Sequence, residues 1–536
     1  MVTPAFAQTF RYDLLSLLPD DFAICIAMND LQGNAARWEK SAWLKAFSAS
    51  QPGKSLLDAP EWQQIERVKH DLKKFLDVDW PTLRDDILGD TLIFAYTPGP
   101  KDHPNEERGL ILLHARDAQV LHRLIDKLND AQKKSGELKE LTELKYRGHS
   151  YHRRVQGDKT QYYFVKKNLA VFTVKDELMQ RVLDRHEAAT KESAWAGRFK
   201  KAGADNAIVT MCVNPRALDA EILATTKKDD IFAGYWRALD AIFLTASIRD
   251  DAEVRLSIQA NTAKLPKWAG SAFKPVETST LWRRFPEQSI VTLATRTDFA
   301  SLVEALKVVM PEKDRQKAAN DWKGGIGAVV QLDLFKDLIP NIGPDWGACV
   351  LPSKDAKQVP QTMVAIALKP GPKEKPVDQT VFNALEFFAK LAILEHNKNH
   401  ADAPIRLETQ MQGKTALRVL QGDKAFPPGI APAFALKDGF LILASSPDAI
   451  AAFTLRDKQA TADAETPLVR ISAPELARLL EHRRDYILAS LPQKDAKRNV
   501  ENVIGLLGLF DRVTLSHSAG DGQASWTVRL SPAKSN

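Results

Sequence analysis

The stretches LPDDFAICIAM at residues 18–28 and FPEQSIVTLAT at 285–295 decide the fold, because one pattern occurs in two distant parts of the chain. Each has a proline, then acidic or polar residues, then an apolar segment of strand character. A pattern that recurs at such a distance indicates an internal repeat, and a repeat sets the domain organisation before any single element does.

Further segments recur in the same order after each stretch. The matched pairs are ILGDTLIFAY at 87–96 with NIGPDWGACV at 341–350, GLILLHA at 109–115 with TMVAIAL at 362–368, and helical patterns at 116–132 and 379–395. Single strands and hairpins alternate irregularly with helices, which is typical of an α+β fold. The sequence therefore predicts two tandem, structurally similar α+β modules with mainly antiparallel sheets covered by helices.

The repeat divides the chain into four predicted parts. Residues 1–11 are a residual export segment or a disordered start, and residues 12–260 form the first module. Residues 261–284, which contain two prolines and a glycine, form a linker. Residues 285–536 form the second module.

Several predicted strands alternate only partly between apolar and polar residues, among them TLIFAY at 91–96 and LILAS at 441–445, which are apolar at consecutive positions. Strands of this kind are buried on both faces. We therefore expect helices to cover one side of each sheet.

The composition is that of an ordinary globular protein, with 44% apolar and 26% charged residues. The formal net charge of +6 is mild for 536 residues, so nucleic acid is an unlikely partner class. No apolar run is long enough to span a membrane, and no transmembrane segment is predicted.

The cysteines and the start of the chain bear on the compartment. Cys25, Cys212 and Cys349 lie in apolar runs far apart in sequence, so neither a disulfide framework nor a cysteine metal site is predicted. Ala5-Phe6-Ala7 followed by Gln8 resembles the end of a secretory signal. We expect export to the periplasm or the exterior if this cleavage-like site is real, and a cytoplasmic location otherwise.

A resemblance rests on LLPDDFAICIAMNDL at 17–31, on a following helix with Trp38, Ser41 and Trp43, and on LDLFKDLIPNIGPDWGACV at 332–350. These features resemble an uncharacterised family of exported bacterial proteins that carry a domain of unknown function. The resemblance implies export and repeated α+β modules. It implies no catalytic residues.

Signatures of catalysis are incomplete. Gly53-Lys54-Ser55 and Gly413-Lys414-Thr415 lack the earlier glycine of a phosphate-binding loop. Asp85, Asp86 and Asp90 are candidates for a pair of catalytic carboxylates, but acids are scattered along the whole chain, and Asp85 and Asp86 are interpreted as turn or capping residues near a strand. No GxSxG or HExxH motif is present. The sequence predicts no catalytic residues, no metal site and no cofactor.

One hairpin is the candidate binding site, because it combines cations with aromatic rings that can stack on a ligand. The alternative is an exposed basic hairpin on a surface of mixed charge. The two histidines of the hairpin should point to opposite faces of the strand. The candidate residues are Tyr146, Arg147, His149, Tyr151, His152, Arg153 and Arg154.

The predicted function is that of an exported, non-enzymatic binding or structural protein of the cell envelope or exterior. The sequence leaves its partner open, with an anionic polymer or another envelope protein as candidates. The alternative is a hydrolase whose site lies in a cleft between the two modules, which would need converging acid, base or metal groups.

Overall fold

The protein is described by a computed structural model that covers residues 10–57, 59–100, 102–188, 193–224, 231–266, 269–299, 301–303, 310–353, 355, 358–371, 376–456, 465–490 and 496–533. The cleavage-like segment Ala5–Ala7 lies outside these residues. The chain forms two compact units. The first contains residues 1–265 and 522–532, and the second contains 266–521 and 533–536.

The first unit is built on strands that follow one another with helices between them. They are β1 (Ile24–Asn29), β2 (Thr91–Thr97), β3 (Arg108–His114), β4 (Leu138–Tyr146), β5 (His149–Gln156), β6 (Lys159–Lys166), β7 (Leu169–Thr173), β8 (Val209–Val213), β9 (Leu239–Ile248) and β10 (Ala252–Ala260). Their spatial order is β10-β9-β8-β1-β2-β3-β7-β6-β5-β4, and every pair is antiparallel.

The helices of the first unit lie before, between and after these strands. They are α1 (Tyr12–Leu15), α2 (Leu31–Lys40), α3 (Ala42–Ala49), α4 (Gln51–Leu57), α5 (Pro60–Leu76), α6 (Trp80–Thr82), α7 (Ala118–Lys134), α8 (Asp176–Glu187), α9 (Ala194–Ala202), α10 (Asp219–Leu223) and α11 (Ile231–Ala238). Local sequence sets their ends. The Asp117 carboxylate accepts from two backbone N–H groups at the start of α7, and Gly203 ends α9 at a φ of 87°.

The second unit has strands β11 (Val291–Arg296), β12 (Ile342–Leu351), β13 (Gln361–Leu368), β14 (Arg406–Gln412), β15 (Thr415–Gln421), β16 (Ala433–Lys437), β17 (Phe440–Ala444), β18 (Thr466–Ser472) and β19 (Phe510–Gly520). Their spatial order is β19-β18-β11-β12-β13-β17-β16-β15-β14, again with antiparallel pairs throughout.

The described helices of the second unit are α12 (Glu312–Gly324), α13 (Ile326–Val330), α14 (Ile339–Asn341), α15 (Val377–Asn399), α16 (Pro447–Ala452), α17 (Ala473–His482), α18 (Arg484–Ser490) and α19 (Ala496–Leu507). A short π-helical turn precedes the second strand of each unit, at Leu83–Ile87 and at Leu334–Leu338. The prediction of mixed α and β structure with antiparallel sheets is confirmed.

Two segments belong to other parts of the structure than the domain division predicted from the sequence. The last strand, β20 (Gln523–Pro532), pairs with β10 and belongs to the first unit. Residues 261–284, predicted to be a linker, form short 3₁₀ turns, and Leu281 is fully buried in the core of the second unit. The segment contains apolar residues, which explains why it packs against the core of the second unit instead of forming an extended linker.

Each unit has its own apolar core on one face of its sheet. In the first unit Phe22, Phe199 and Phe243 are almost fully buried beside strand residues such as Ile93 and Leu112. In the second unit the core contains Met363 and Ile442 of the sheet, Ile450 of α16, Phe453 directly after α16, and Phe285, which precedes β11. Burial on this scale is the main favourable contribution to folding.

Among the helices in the described part of the chain, none has the length and apolar character that crossing a bilayer requires.

Candidate functional site

A polar cluster lies at one end of the first unit's sheet. Asp90 immediately precedes β2, and His114 ends β3, where the register pairs it with Thr91. The His114 Nδ1 atom lies 2.6 Å from Asp90 Oδ2, and the Asp90 side chain is 3% exposed. Antiparallel pairing therefore brings together two groups that are 24 residues apart in sequence.

Arg11, just before α1, completes this cluster. Its Nη1 atom lies 3.2 Å from His114 Nε2 and 3.6 Å from Asp90 Oδ2. Its Nε and Nη2 atoms donate to both oxygens of Asp13, and this hydrogen bonding lowers the pKa of Asp13. Arg11 Nη1 also lies 3.3 Å from His114 Nδ1, so it is nearly equidistant from the two ring nitrogens, and the imidazole is held between the Asp90 carboxylate and the Arg11 guanidinium.

A second set of charges lies at the same end of the sheet. Asp30, which caps α2, is 5% exposed and accepts from Arg116 at 2.7 Å and from Arg37 at 3.1 Å. Its backbone N–H donates to the carbonyl of Asp90 at 2.7 Å. Buried carboxylates need such partners, because desolvation without them is costly. The arrangement is well suited to fixing α2 against the strand ends.

A cavity of about 570 Å³ lies beside the polar cluster, and Arg11 and His114 form part of its lining. Its cationic or basic lining residues are Arg11, His114, Lys166, Lys167 and His186, and its acidic one is Asp13. Burial lowers the pKa of His186, and nearby Lys166 and His149 lower it further. His186 is therefore neutral near pH 7 and can donate or accept a hydrogen bond.

The sheet of the first unit has a second face, on the side away from the core around Phe243. This face is apolar, and other elements of the unit cover only part of it. Cross-strand register aligns Leu256, Leu244, Met211, Ile26, Phe94 and Ile111 in one row across β10, β9, β8, β1, β2 and β3. A row on one side contains Ile258, Ile242, Val213 and Ile24, and a row on the other contains Val528, Val254, Val209, Met28 and Leu92. We call these three rows the open face.

Exposure differs sharply between the two faces. Leu244 is 44% exposed, Ile111 39% and Phe94 38%, whereas Phe243, the neighbour of Leu244, is fully buried. Helix α7 covers the end of the face near β3 and β7, where Leu121 packs against Leu113 and Ala170. The expected helical cover is thus present over part of this face, and the remainder stays in contact with solvent. Contiguous apolar surface of this kind is typical of interaction sites.

A second cavity, of about 670 Å³, lies at the end of the strands that carry the open face. It is lined by Arg249 and Asp250 of the β9–β10 turn, by Pro532 of β20 and by Lys40 and Trp43 of the α2–α3 region, together with Arg37 and Ser41. Pro532 has the same strand parity as Val528 and therefore lies on the side of the open face. Three cations and one carboxylate give this cavity a net positive lining.

The predicted binding hairpin is formed by β4 and β5, with Arg147 and Gly148 at the turn in positive φ. Arg147 pairs with Asp184 at 2.8 Å, and Arg153 pairs with Glu140 at 3.3 Å. Arg154 is 6% exposed and donates to Gln132 of α7. Burial lowers the pKa of Arg154. Each arginine of the hairpin thus has an intramolecular partner.

The aromatic and histidine side chains of the hairpin also make contacts within the unit. Tyr146 donates to Asp184, and the buried Tyr151 donates to Asp176 at 2.8 Å, both on α8. His149 packs edge-on against His186 of α8, whereas His152 stacks on Tyr163, which accepts from Asn129 of α7. The two histidines therefore contact opposite sides of the sheet, as the alternation of strand side chains predicts.

The cysteines are all buried and free. Cys25 of β1 and Cys212 of β8 lie directly opposite each other in the register, although 187 residues separate them in sequence. Burial raises the pKa of both thiols, and it raises the pKa of Cys349 to about 12. Thiols of this kind are poor nucleophiles, because the reactive form is the thiolate.

Sequence reasoning missed the importance of Arg11, His114 and Arg116, and it considered Asp90 only as one of several scattered acids. No motif joins these residues, since strand pairing brings His114 to Asp90 and tertiary packing brings Arg11 to both. The available signal was the placement of a charged or polar residue at the end of each apolar strand. Within the described residues, no group of three or more His, Cys, Asp or Glu is placed to hold a metal ion.

The fold and site define an α+β protein with antiparallel sheets, a polar cluster at one strand end and an open apolar face. No protein-family model matches this chain, and no curated protein matches it either.

Proposed function

We propose that this chain is a non-enzymatic binding protein of the cell envelope or exterior, built from two copies of one module. Its ligand is apolar or amphipathic and binds the open face of the first unit. The observation that carries the proposal is the partial exposure of apolar residues across six adjacent strands, from β10 to β3.

The pairing of strands supports the duplication. The order β9-β8-β1-β2-β3-β7-β6-β5-β4 of the first unit corresponds, element by element, to β19-β18-β11-β12-β13-β17-β16-β15-β14 of the second. Ile24 pairs with Tyr96 and Val213, and Val291 pairs with Val350 and Ile471. The sequence repeat aligns two of these three matches, Ile24 with Val291 and Tyr96 with Val350. Topologies of this length rarely coincide by chance, because many strand orders satisfy the same packing rules.

The chemistry of the open face supports a binding role. When one face of a sheet is solvated, apolar and polar residues normally alternate along its strands, so that the solvated face is polar. Here the side chains on both faces are apolar. Transfer of apolar surface from water to a ligand is favourable by roughly 25 cal/mol per Å². A ligand that covers several of the exposed side chains would therefore gain substantial affinity without directed hydrogen bonds.

A hydrolase site within the first unit, rather than in a cleft between the modules, would draw on the His114–Asp90 pair beside the cavity of about 570 Å³. A carboxylate that orients an imidazole is one part of an acid–base site. However, Arg11 lies at Nε2, the nitrogen that would take the proton. We therefore favour binding. Turnover on a broad hydrolase panel that His114→Gln abolishes would reverse this choice.

A dye-binding titration tests the proposed function. We expect the intact protein to bind Nile red, a neutral apolar dye, and the double variant Leu244→Gln/Ile111→Gln to bind it roughly tenfold more weakly, because two exposed apolar contacts are lost. The matched control is Leu394→Gln on α15, whose side chain is 71% exposed but lies in the second unit. Equal affinity in the double variant and the intact protein would exclude the open face as the site.

A further inference from the structure

We propose that the ligand of the open face is a single anionic lipid, whose acyl chain lies on the apolar rows and whose headgroup occupies the cation-lined cavity of about 670 Å³. This inference rests on the proposed function and adds the chemical class of the ligand. It joins two independent features of the first unit, an apolar surface and a positively lined cavity at the ends of the same strands.

The size of the open face fits an acyl chain. Seven adjacent strands, β20 to β3, spaced at about 4.8 Å, span roughly 30 Å. Half of a bilayer's hydrocarbon core is roughly 15 Å thick, which is the reach of one chain packed in a leaflet. One acyl chain is therefore shorter than the width of the open face and fits on it. Its carboxyl or ester end can reach the ends of strands β9, β10 and β20.

The apolar rows lead to the cavity. Ile248 and Ala252 pair with each other at the last position before the β9–β10 turn, and Ala252 pairs with Leu530 of β20. Arg249, which follows Ile248, and Pro532, which lies two residues after Leu530, line the cavity. A molecule on the rows thus has a polar, positively lined space at one end of its path.

The net positive charge of the cavity lining indicates an anionic headgroup. Arg37, Lys40 and Arg249 line the cavity with a single carboxylate, Asp250. Arg37 is already paired with Asp30, and Arg249 donates to the Asn206 side chain at 2.6 Å, which positions its guanidinium. A phosphate or carboxylate headgroup gains charge-assisted hydrogen bonds from such groups, whereas a neutral headgroup does not.

The test removes Lys40 and Arg249 and keeps Arg37, the cavity cation that is paired with Asp30. Lys40 and Arg249 are exposed, and removing them leaves the buried Asp30 with Arg37 and Arg116. The double variant Lys40→Gln/Arg249→Gln therefore keeps the fold. The matched control removes two other exposed cations of the same unit, as Lys139→Gln/Lys145→Gln.

Binding is measured by calorimetry below the micellar concentration with three probes of equal chain length: lysophosphatidylglycerol, which is anionic, lysophosphatidylcholine, which is zwitterionic, and a monoacylglycerol, which is neutral. We expect the anionic lipid to bind roughly tenfold more tightly than the other two, equivalent to about 1.4 kcal/mol. The preference disappears in Lys40→Gln/Arg249→Gln, remains in the control, and the affinity for the monoacylglycerol is unchanged in both.

The other outcomes separate the two proposals. Equal affinity for all three lipids overturns the anionic headgroup and leaves the apolar binding function standing. Absence of binding to all three, together with absence of Nile red binding, overturns both. Capture by vesicles of phosphatidylglycerol without binding of monomeric lipid replaces the single-lipid site with a membrane surface. Loss of the preference in the control variant shows a general effect of net charge.

Discussion

The two units share the order and register of their strands but differ at the strand ends. By register, Asp90 and His114 of the first unit correspond to Pro344 and Ala367 of the second. Ala367 lies close to Gly343, because a Cβ added at Gly343 would come within 2.7 Å of it. Proline and alanine side chains form no hydrogen bonds, so the Asp90–His114 pair has no counterpart at these two positions of the second unit.

The open face of the first unit also differs from the corresponding face of the second unit. Phe94, Ile111 and Leu244 of the first unit match Ala348, Val364 and Leu515 in the register of the second. Two of these three positions carry smaller side chains in the second unit. The difference teaches that the buried rows define the fold, while the strand ends and the outer rows are where one unit gains a binding surface.

The largest effect in this comparison is expected from the buried face. Phe243→Ala removes a fully buried ring, and we expect the free energy of unfolding to fall by about 3–5 kcal/mol. Leu244→Ala on the next residue should lower it by only about 0.5 kcal/mol, because that side chain is partly solvated. Urea denaturation followed by circular dichroism measures both values.

The adjacent pair is its own control, since the two substitutions share one strand and one local backbone. Similar losses for Phe243→Ala and Leu244→Ala would mean that both faces are equally packed. The distinction between a covered core and an open face would then be lost.

A smaller effect is expected from the polar cluster. Asp90→Asn keeps the size of the side chain but removes the charge that His114 and Arg11 contact, and we expect a loss of about 1–3 kcal/mol. His114→Ala removes the main partner. A double-mutant cycle of the two substitutions, followed by urea denaturation, should give a coupling energy of about 1 kcal/mol or more.

The second unit supplies the control for the cluster. Asp345→Asn changes a buried carboxylate that accepts from the Thr280 backbone, at the position that matches Thr91. We expect no coupling between Asp345→Asn and His114→Ala, because the two groups belong to different cores. Additive behaviour of Asp90→Asn with His114→Ala would show that their short contact contributes nothing to stability.

The strand pattern could be predicted from the sequence because apolar runs carry it directly. The alignment of residues 18–28 with 285–295 gives the register of β1 and β11, since Ile24 and Val291 occupy the same place between their neighbouring strands. Strands that are apolar on both faces were also recognised. Their pattern could not reveal which face stays open, because TLIFAY is equally apolar on each side.

The candidate site could not be predicted in the same way. Arg11, Asp90 and His114 are separated by long stretches of chain, and only tertiary pairing brings them within hydrogen-bonding distance. The hairpin at 146–154 was chosen because its cations and rings are adjacent in sequence. Adjacency does not reveal that Asp184, Glu140 and Gln132 lie close enough to pair with those cations.

The smallest effect is expected from two partly exposed cations of that hairpin, Arg147 and Arg153. Arg147→Gln and Arg153→Gln each break one partly solvated ion pair, so we expect stability to change by about 0.2–1 kcal/mol. Retention on a heparin column should also change little, because both guanidinium groups already have a carboxylate partner. If retention instead falls steeply with the loss of these two arginines and depends strongly on salt, the hairpin binds polyanions as its sequence first indicates, and the open face is then one of two binding surfaces in the first unit.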